Sequence, residues 1–286
     1  KALATTSAGM NFAQGRPDGS MGLEEIFQHF RDLTAAVDVP VNADFENGYA
    51  DTVEGVAENF RLAAQTGLAG GSIEDYDGER LYDLGEAVDR LTAALEAVRG
   101  LEPAFVLTAR AENLIRGNPD LDDTIKRLQA YQEAGADVLY APGLKTAAEI
   151  RSVVSSVDRP VNVLAGLPGF TLSVADFEDL GVKRLSVGGS LFRAGFAKVM
   201  ESAREMLEPG TFTWVDGLPT TKEVSAIERR MDKLSTQVAA LHEEMAVHDQ
   251  ADFEGLAALT AQVRELEDET AALEERWLEA TEALEA

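Results

Sequence analysis

Two carboxylates end a short apolar run in the segment PVNADFENGYAD, residues 40–51. Asp44 and Glu46 stand two positions apart, and side chains at this spacing in a strand point to the same face. A Gly48–Tyr49 turn follows them. The chain has no cysteine and three scattered histidines, so oxygen atoms are its available metal ligands. Closely spaced carboxylates are typical ligands of Mg²⁺, which we therefore expect at this position.

More charged residues follow the next two β-prone runs. Glu74 and Asp75 end GGSIED, and Arg110 and Glu112 follow FVLT. In a parallel barrel the carboxyl ends of the strands form the active face, so we expect these groups to converge. One cation and one guanidinium fork could hold an α-keto acid and stabilise an enolate. The alternative is a set of solvated loop charges and Arg–carboxylate bridges, but the number of converging groups favours a site.

Short β-prone runs alternate with amphipathic helical stretches from residue 1 to about 207. Strands are predicted at 1–7, 39–44, 70–75, 104–110, 137–142, 159–165 and 183–189. Helices are predicted over 52–66, 86–99, 121–134 and 190–207. Several strands are continuous apolar runs, which indicates a sheet covered on both faces. Seven such strands favour an α/β fold of the (β/α)8 TIM-barrel type over an open sheet.

The rhythm changes near residue 219, where apolar residues begin to step by three and four. The first series is Val224, Ile227, Met231, Leu234, Val238, Leu241 and Met245, and the second is Leu256, Leu259, Val263, Leu266, Thr270, Leu273 and Trp277. Two heptad series around a polar break predict an antiparallel coiled-coil hairpin. The alternative is a pair of ordinary bundle helices packed on the barrel.

Composition narrows the function classes. The chain has 286 residues, with 51 acidic against 25 basic side chains and a formal charge of −26. That charge opposes non-specific nucleic-acid binding, which needs Lys and Arg. We expect no membrane span, because no apolar run is long enough, and no signal peptide. The default expectation is a cytoplasmic protein. A start at Lys1 suggests a processed, truncated or partial chain.

The motifs ALATTSAG, VNADFENGYAD, GGSIEDYDG, FVLTARAENLIRG, RPVNVLAG and VKRLSVGGSLFRAG occur in this order. Together they resemble the isocitrate lyase/phosphoenolpyruvate mutase superfamily over residues 1–212. The resemblance implies Mg²⁺-dependent cleavage or rearrangement of C–C or P–C bonds in small α-keto or α-hydroxy acids. It implies that Asp44 binds the metal directly, that Glu46 is the second carboxylate, and that Glu74 reaches the metal through water.

The same resemblance implies a substrate site. Ser7, Ala8 and Gly9 match a turn whose backbone N–H groups hold the substrate carboxylate and enolate oxygen. Arg110 matches the arginine that binds the substrate, and Asn162 is a further candidate for a substrate contact. The family also implies homo-oligomers that exchange the helix predicted near 190–206.

Several departures from the family pattern restrict the activity. Isocitrate and methylisocitrate lyases carry a catalytic cysteine in a KKCGH loop, and this chain has none. The loop YDGERLYDLGEAV lacks the Lys and Asn that phosphonopyruvate mutases place over the substrate. A generic lyase or decarboxylase remains. The family has another strand and helix before ALATTSAG, so the expected barrel lacks its first strand and helix.

The C-terminal segment resembles the coiled-coil hairpin of ABC-F-type ATPases, and we place a separate domain at 219–286 after the barrel domain at 1–212. No GxxxxGK[ST] motif occurs, so an ATPase part is absent and helix pairing is the function implied. The alternative to a lyase is a non-catalytic interaction or assembly protein that acts through the coiled coil. The segment Arg16–Gly19 is interpreted first as a turn and second as a loop over the active mouth.

Overall fold

A parallel sheet organises the first of two compact units into which the chain divides, Lys1–Ala197 and Lys198–Ala286. The computed structural model describes residues 2–216, 221–248 and 252–282, with the side chains of 221–224, 254 and 278–282 outside that description. The strands are β1 (Leu3–Ala4), β2 (Val41–Asp44), β3 (Gly70–Glu74), β4 (Val106–Arg110), β5 (Val138–Tyr140), β6 (Val161–Leu164) and β7 (Arg184–Ser186). They pair in sequence order, and every pair is parallel.

Helices connect the strands and continue beyond them. They are α1 (Ser7–Ala13), α2 (Leu23–Ala36), α3 (Val53–Ala64), α4 (Leu84–Val98), α5 (Leu121–Ala134), α6 (Ala147–Ser155), α7 (Val174–Asp179), α8 (Ser190–Leu207), α9 (Thr221–Val247) and α10 (Phe253–Glu282). Helix-capping side chains fix several starts: the hydroxyl of Thr52 accepts from Gly55 N–H, and Asp120 caps α5. The left-handed Gly135, with φ of 108°, ends α5 and turns the chain toward β5.

The predicted α/β class and the seven strands are confirmed, each strand being shorter than its predicted run. Lys1, the first residue of the predicted run 1–7, lies outside the described residues, and Ser7 at its end starts α1 instead. Helices α5 and α8 have the predicted bounds. Helices α2, α6 and α7 were not among the predicted segments; α6 and α7 are short and begin at capping boxes of Thr146 and Ser173.

The sheet curls as a TIM-type fold requires, although closure is not seen. Among the described residues, β1 and β7 are the two ends of the strand order and are not paired with each other. The curl is visible in Arg184 of β7, because Nη1 reaches Asn42 Oδ1 of β2 at 3.4 Å and Thr108 Oγ1 of β4 at 3.2 Å. One side chain therefore spans the inside of the sheet.

The strand register places five polar or charged residues side by side. Glu74 pairs with Arg110, Arg110 with Tyr140, Tyr140 with Asn162, and Asn162 with Arg184. Residues directly opposite in adjacent strands point to the same side of a sheet. This row, which we call the polar row, crosses β3 to β7 and carries three of the residues predicted to bind metal or substrate: Glu74, Arg110 and Asn162.

An aromatic cluster anchors the segment that carries the two carboxylates. Phe45 is fully buried. The centroid of its ring lies 5.0 Å from that of Phe60, 5.7 Å from that of Phe30 and 5.2 Å from that of Tyr49, each pair in an edge-to-face arrangement. Such aromatic pairs add stabilisation beyond their buried area. Because Phe45 points into this core, its neighbours Asp44 and Glu46 are held on the opposite side.

The second unit contains two long helices that pack through an apolar core. Ile227, Leu234 and Leu273 form its buried centre, with Met231, Leu266 and Trp277 partly buried beside them. Arg230 of α9 and Glu269 of α10 form an exposed ion pair between the helices. All six apolar residues belong to the predicted heptad series, so a helical pair is confirmed; the side chain of Val224 lies outside the described residues. Among the described helices, none is apolar over a length sufficient to cross a membrane.

We predict that Phe45→Ala lowers the free energy of unfolding by about 3–5 kcal/mol, because it empties the centre of the aromatic cluster. Urea denaturation monitored by circular dichroism measures the effect. Val174→Ala is the matched control, because Val174 is 67% exposed and its truncation should cost less than about 0.5 kcal/mol. Equal midpoints for the two variants would contradict the packing described here.

Candidate active site at the carboxyl ends of the strands

Asp44 at the end of β2 is fixed by three neighbours. Its backbone N–H donates to Thr5 Oγ1 at 2.9 Å, and the backbone N–H of Ser7 donates to its Oδ2 at 3.2 Å. The other carboxylate oxygen, Oδ1, accepts from Arg110 Nη1 at 2.6 Å. Both oxygens of Asp44 are therefore engaged, one by the start of α1 and one by the end of β4.

Arg110 is the cation around which the site is built. Its side chain is 12% exposed and forms ion pairs with Asp44, Glu74 and Glu112 at 2.6, 3.1 and 2.8 Å. Burial alone would lower the pKa of this guanidinium, but Glu112, Glu74 and Asp44 outweigh that effect and raise the pKa well above its usual value. Burial raises the pKa of Glu74 strongly; the charge of Arg110 opposes that shift, and the nearby Glu112 adds to it.

A second layer of hydrogen bonds holds Glu112, which is fully buried. Its carboxylate accepts from Arg110 Nε and Nη2, and its backbone N–H donates to Asp75 Oδ1 at 2.8 Å. Asp75 in turn accepts from Arg127 Nη1 at 2.9 Å and from the Tyr131 hydroxyl at 2.5 Å. Arg127 and Tyr131 lie on α5, so this helix orients Arg110 through two carboxylates.

The loop that carries Glu46 has an unusual backbone. Glu46 and Tyr49 have φ of 42° and 49°, which non-glycine residues adopt at a cost. Asn59 and Arg90 hold the loop in place, since Asn59 Nδ2 donates to the carbonyls of Gly48 and Tyr49 and Arg90 Nη2 donates to the carbonyl of residue 47. Burial, and then the charge of the neighbouring aspartate in β2, raise the pKa of Glu46.

Asp44, Glu46, Glu74 and Arg110 line one cavity of about 250 Å³. Its lining residues are Ser7, Asp18, Gly19, Asp44, Glu46, Asn47, Glu74, Tyr76, Asp77, Gly78, Arg110 and Arg116. The lining includes five carboxylates and two guanidinium groups. They come from the ends of β2, β3 and β4, from the loops that follow these strands, and, for Asp18, from the loop between α1 and α2. Such an arrangement attracts a cation and can also hold a small anion.

The donor chemistry of this cavity fits Mg²⁺. Asp44, Glu46 and Glu74 offer hard oxygen ligands, and the cavity has room for water and a substrate oxygen. Burial raises the pKa of both Glu46 and Glu74, and a nearby cation would favour their charged form. Within residues 2–216, 221–248 and 252–282, however, no three acidic or histidine side chains stand close enough together to hold a metal. Arg110 lies between two of the three proposed ligands, because it forms ion pairs with both Asp44 and Glu74.

The structure places the predicted substrate contacts in different positions. Ser7 lines the cavity, whereas Ala8 and Gly9 lie in the first turn of α1 and do not line it. Asn162 lies on the polar row, buried, and its Nδ2 donates to Ser186 Oγ at 3.0 Å. In the part of the chain that is described, Asn162 Oδ1 accepts no hydrogen bond.

Sequence reasoning missed five lining residues other than glycine. They are Asp18, Asn47, Tyr76, Asp77 and Arg116. Asp18 belongs to the RPDG turn, whose second interpretation as a loop at the active mouth agrees with its position here. The others follow strand ends, so the rule that active sites lie at these ends could have found them.

Comparison with known proteins identifies the family to which this fold belongs. Residues 1–207 match the phosphoenolpyruvate phosphomutase family, and residues 220–282 match the ABC transporter C-terminal domain. The chain belongs to the phosphoenolpyruvate phosphomutase family. An oxaloacetate decarboxylase from Rhodopseudomonas palustris is 30% identical over 203 residues, which are 68% of this chain and 66% of that protein.

Solved structures agree with the phosphoenolpyruvate phosphomutase assignment. A Burkholderia cenocepacia J2315 protein, provisionally assigned as a lyase/mutase, is 50% identical to this chain, with a TM-score of 0.73. The match covers 74% of this chain and 78% of the Burkholderia chain. The phosphoenolpyruvate phosphomutase from Streptomyces platensis subsp. rosaceus is 25% identical with a TM-score of 0.70, covering 82% and 85%. The family contains lyases and mutases, which supports an enzymatic activity.

We predict that Arg110→Gln lowers the free energy of unfolding by about 3–5 kcal/mol, because it leaves buried carboxylates without their cation. Arg110→Lys, which keeps the charge, should recover part of the loss. Thermal and urea denaturation measure both variants. Arg61→Gln removes an exposed arginine that pairs with Glu58 and should leave the midpoint unchanged. A midpoint of Arg110→Gln equal to that of wild type would show that the cluster is not a net structural requirement.

Proposed function

We propose that the first unit is an Mg²⁺-dependent lyase that cleaves a C–C or P–C bond of a small α-keto or α-hydroxy acid through an enolpyruvate-like intermediate. The main support is the cavity at the strand ends, where five carboxylates and two guanidinium groups face one another in a member of the phosphoenolpyruvate phosphomutase family. Relatives with this barrel include an oxaloacetate decarboxylase and 2-methylisocitrate lyases.

Asp44, Glu46 and Glu74 would hold the cation in this proposal, Asp44 directly. When bound, Mg²⁺ supplies positive charge beside the oxygens on which negative charge develops. Burial of Glu74, which is 7% exposed, favours pairing of its carboxylate with a cation. Asn59 of α3 and Arg90 of α4 hold the strained backbone at Glu46 in place. The Glu46 carboxylate is therefore directed into the cavity before a cation binds, and the loop need not become ordered on binding.

Arg110, Ser7 and Asn162 would orient the substrate. Arg110 is preoriented by Glu112, so little reorganisation is needed when negative charge develops beside it. In the same proposal the backbone N–H groups of Ser7, Ala8 and Gly9 would bind the substrate carboxylate and enolate oxygen. This requires that the Ser7 N–H exchange its hydrogen bond to Asp44 for one to the substrate, and that Ala8 and Gly9, which do not line the cavity here, become accessible to it. Asn162 lies outside the cavity lining, two strands from Arg110 in the polar row. Its Oδ1, which accepts no hydrogen bond among the described residues, would accept one from a substrate hydroxyl that extends along this row.

We predict that oxalate, which mimics enolpyruvate, binds the wild-type chain when Mg²⁺ is present and does not bind measurably without it. Asp44→Ala and Asp44→Asn should both abolish this binding, because each removes the charged oxygen ligand. Isothermal titration calorimetry measures all three proteins. Asp89→Ala changes an exposed aspartate on α4 and should bind oxalate as wild type does. Metal-independent oxalate binding, or full binding by both Asp44 variants, would refute the metal site.

A second candidate is an assembly function, carried by either α8 or the helical pair. Helix α8 exposes Leu191, Phe196, Val199 and Leu207 to between 53% and 85%. Apolar side chains that stay exposed among the described residues support an interface on this helix, and a second copy of this chain would cover them in a homo-oligomer. For the region 219–286 we propose an antiparallel coiled coil, supported by its buried heptad positions and the Arg230–Glu269 pair.

We predict that the wild-type chain sediments as an oligomer and that Phe196→Lys shifts it toward monomer, because a charge is then buried in the α8 interface. Sedimentation velocity over a range of protein concentrations measures the shift. Val247→Lys is the matched control at the end of α9, where Val247 is 85% exposed. Dissociation by Val247→Lys with no effect of Phe196→Lys would favour assembly through the helical pair. A monomeric wild type would refute both.

A further inference from the structure

Arg116 is the cavity residue whose role the proposed function leaves open. It follows β4 in the loop before α5, and its side chain is 37% exposed at the mouth of the cavity. Its guanidinium stacks on the Tyr76 ring at 4.2 Å from the centroid, and its Nε donates to Glu112 Oε2 at 3.1 Å. These two contacts fix the plane of the guanidinium from one side.

The two guanidinium groups of the cavity differ in how fully they are used. Arg110 donates from Nε, Nη1 and Nη2 to two carboxylates and forms a further ion pair with Glu74. Arg116 reaches Glu74 only at 3.7 Å, and among the described residues neither its Nη1 nor its Nη2 donates a hydrogen bond. Arg116 therefore keeps a fork of N–H donors available beside the cavity, which is the geometry that binds a carboxylate or phosphonate in two-point fashion.

The charge of the cavity makes such a donor necessary. Five carboxylates against two guanidinium groups leave an acidic lining, and one divalent cation does not fully offset it. A substrate with a single acidic group can be held at the metal end. A second acidic group at the mouth, near Asp18 and Asp77, would be repelled unless a cation with free donors stood there.

We propose that Arg116 binds the second acidic group of the substrate and thereby selects diacids, or acids that carry a phosphonate, over monoacids. This inference rests on the proposed function, because it presupposes that the metal end of the substrate lies at Asp44. Arg110 holds the end where bond cleavage occurs, and Arg116 holds the distal end. Tyr76 and Glu112 keep the Arg116 fork oriented before the substrate arrives, which reduces the entropy lost on binding.

Two probes separate the ends of the cavity. Oxalate has its carboxylates adjacent and occupies the metal end alone, whereas 3,3-difluorooxaloacetate is a longer keto diacid that also reaches the mouth. Both are titrated by calorimetry with Mg²⁺ into wild type, Arg116→Gln, Arg116→Lys and the exposed control Arg61→Gln. Circular dichroism and thermal unfolding check that each variant is folded.

Arg116→Gln should weaken the binding of 3,3-difluorooxaloacetate about 10- to 100-fold, because charge-assisted hydrogen bonds to its distal carboxylate are lost. The affinity for oxalate should change by less than about twofold. Arg116→Lys, which keeps the charge and loses the fork, should fall between wild type and Arg116→Gln. The inference is overturned if Arg116→Gln weakens both probes equally or neither of them while wild type binds both. A wild type that binds neither probe instead overturns the proposed function, and this inference with it.

Discussion

The site depends on one buried guanidinium that compensates three carboxylates. Without Arg110, the acids at the ends of β2 and β3 and in the loop after β4 would repel one another in a largely dry environment. The parallel register makes the cluster possible, because Glu74 and Arg110 lie directly opposite on neighbouring strands. The same cluster lines an acidic cavity and stabilises the surrounding fold, so stability and the proposed ligand binding depend on the same charges.

Support for this cluster comes from helices on the outside of the sheet. Helix α5 acts through Arg127, Tyr131 and Asp75 on the backbone of Glu112, and α4 acts through Arg90 on the loop that carries Glu46. These side chains are buried; Arg127, Tyr131 and Arg90 donate hydrogen bonds to carboxylates or carbonyls, and Asp75 accepts them, which makes their geometry rigid. The cavity is thus lined by strand ends and loops but is oriented by helices that do not touch it.

The local sequence pattern was enough to predict the strands, most of the long helices and the position of Asp44 and Glu74 at strand ends, because apolar runs and the charges that end them can be read directly from the sequence. The site was harder. Pairing of Asp44 with Arg110 joins residues on β2 and β4, and spacing along the chain does not reveal which acid a given arginine will meet. The hydrogen bond from Ser7 N–H to Asp44 arises because a helix starts where a strand end and turn were expected. Asp18 and Arg116 lie on loops, whose positions follow from tertiary packing.

The two arginines of the cavity differ in what holds them, and this has a consequence for how the protein could diversify. Arg110 is part of the sheet and of its charge balance, so its replacement threatens the whole unit. Arg116 sits on a loop, held by one hydrogen bond and one ring. If the proposed roles hold, exchanging that single loop residue after gene duplication would give descendants that keep the reaction and accept different molecules.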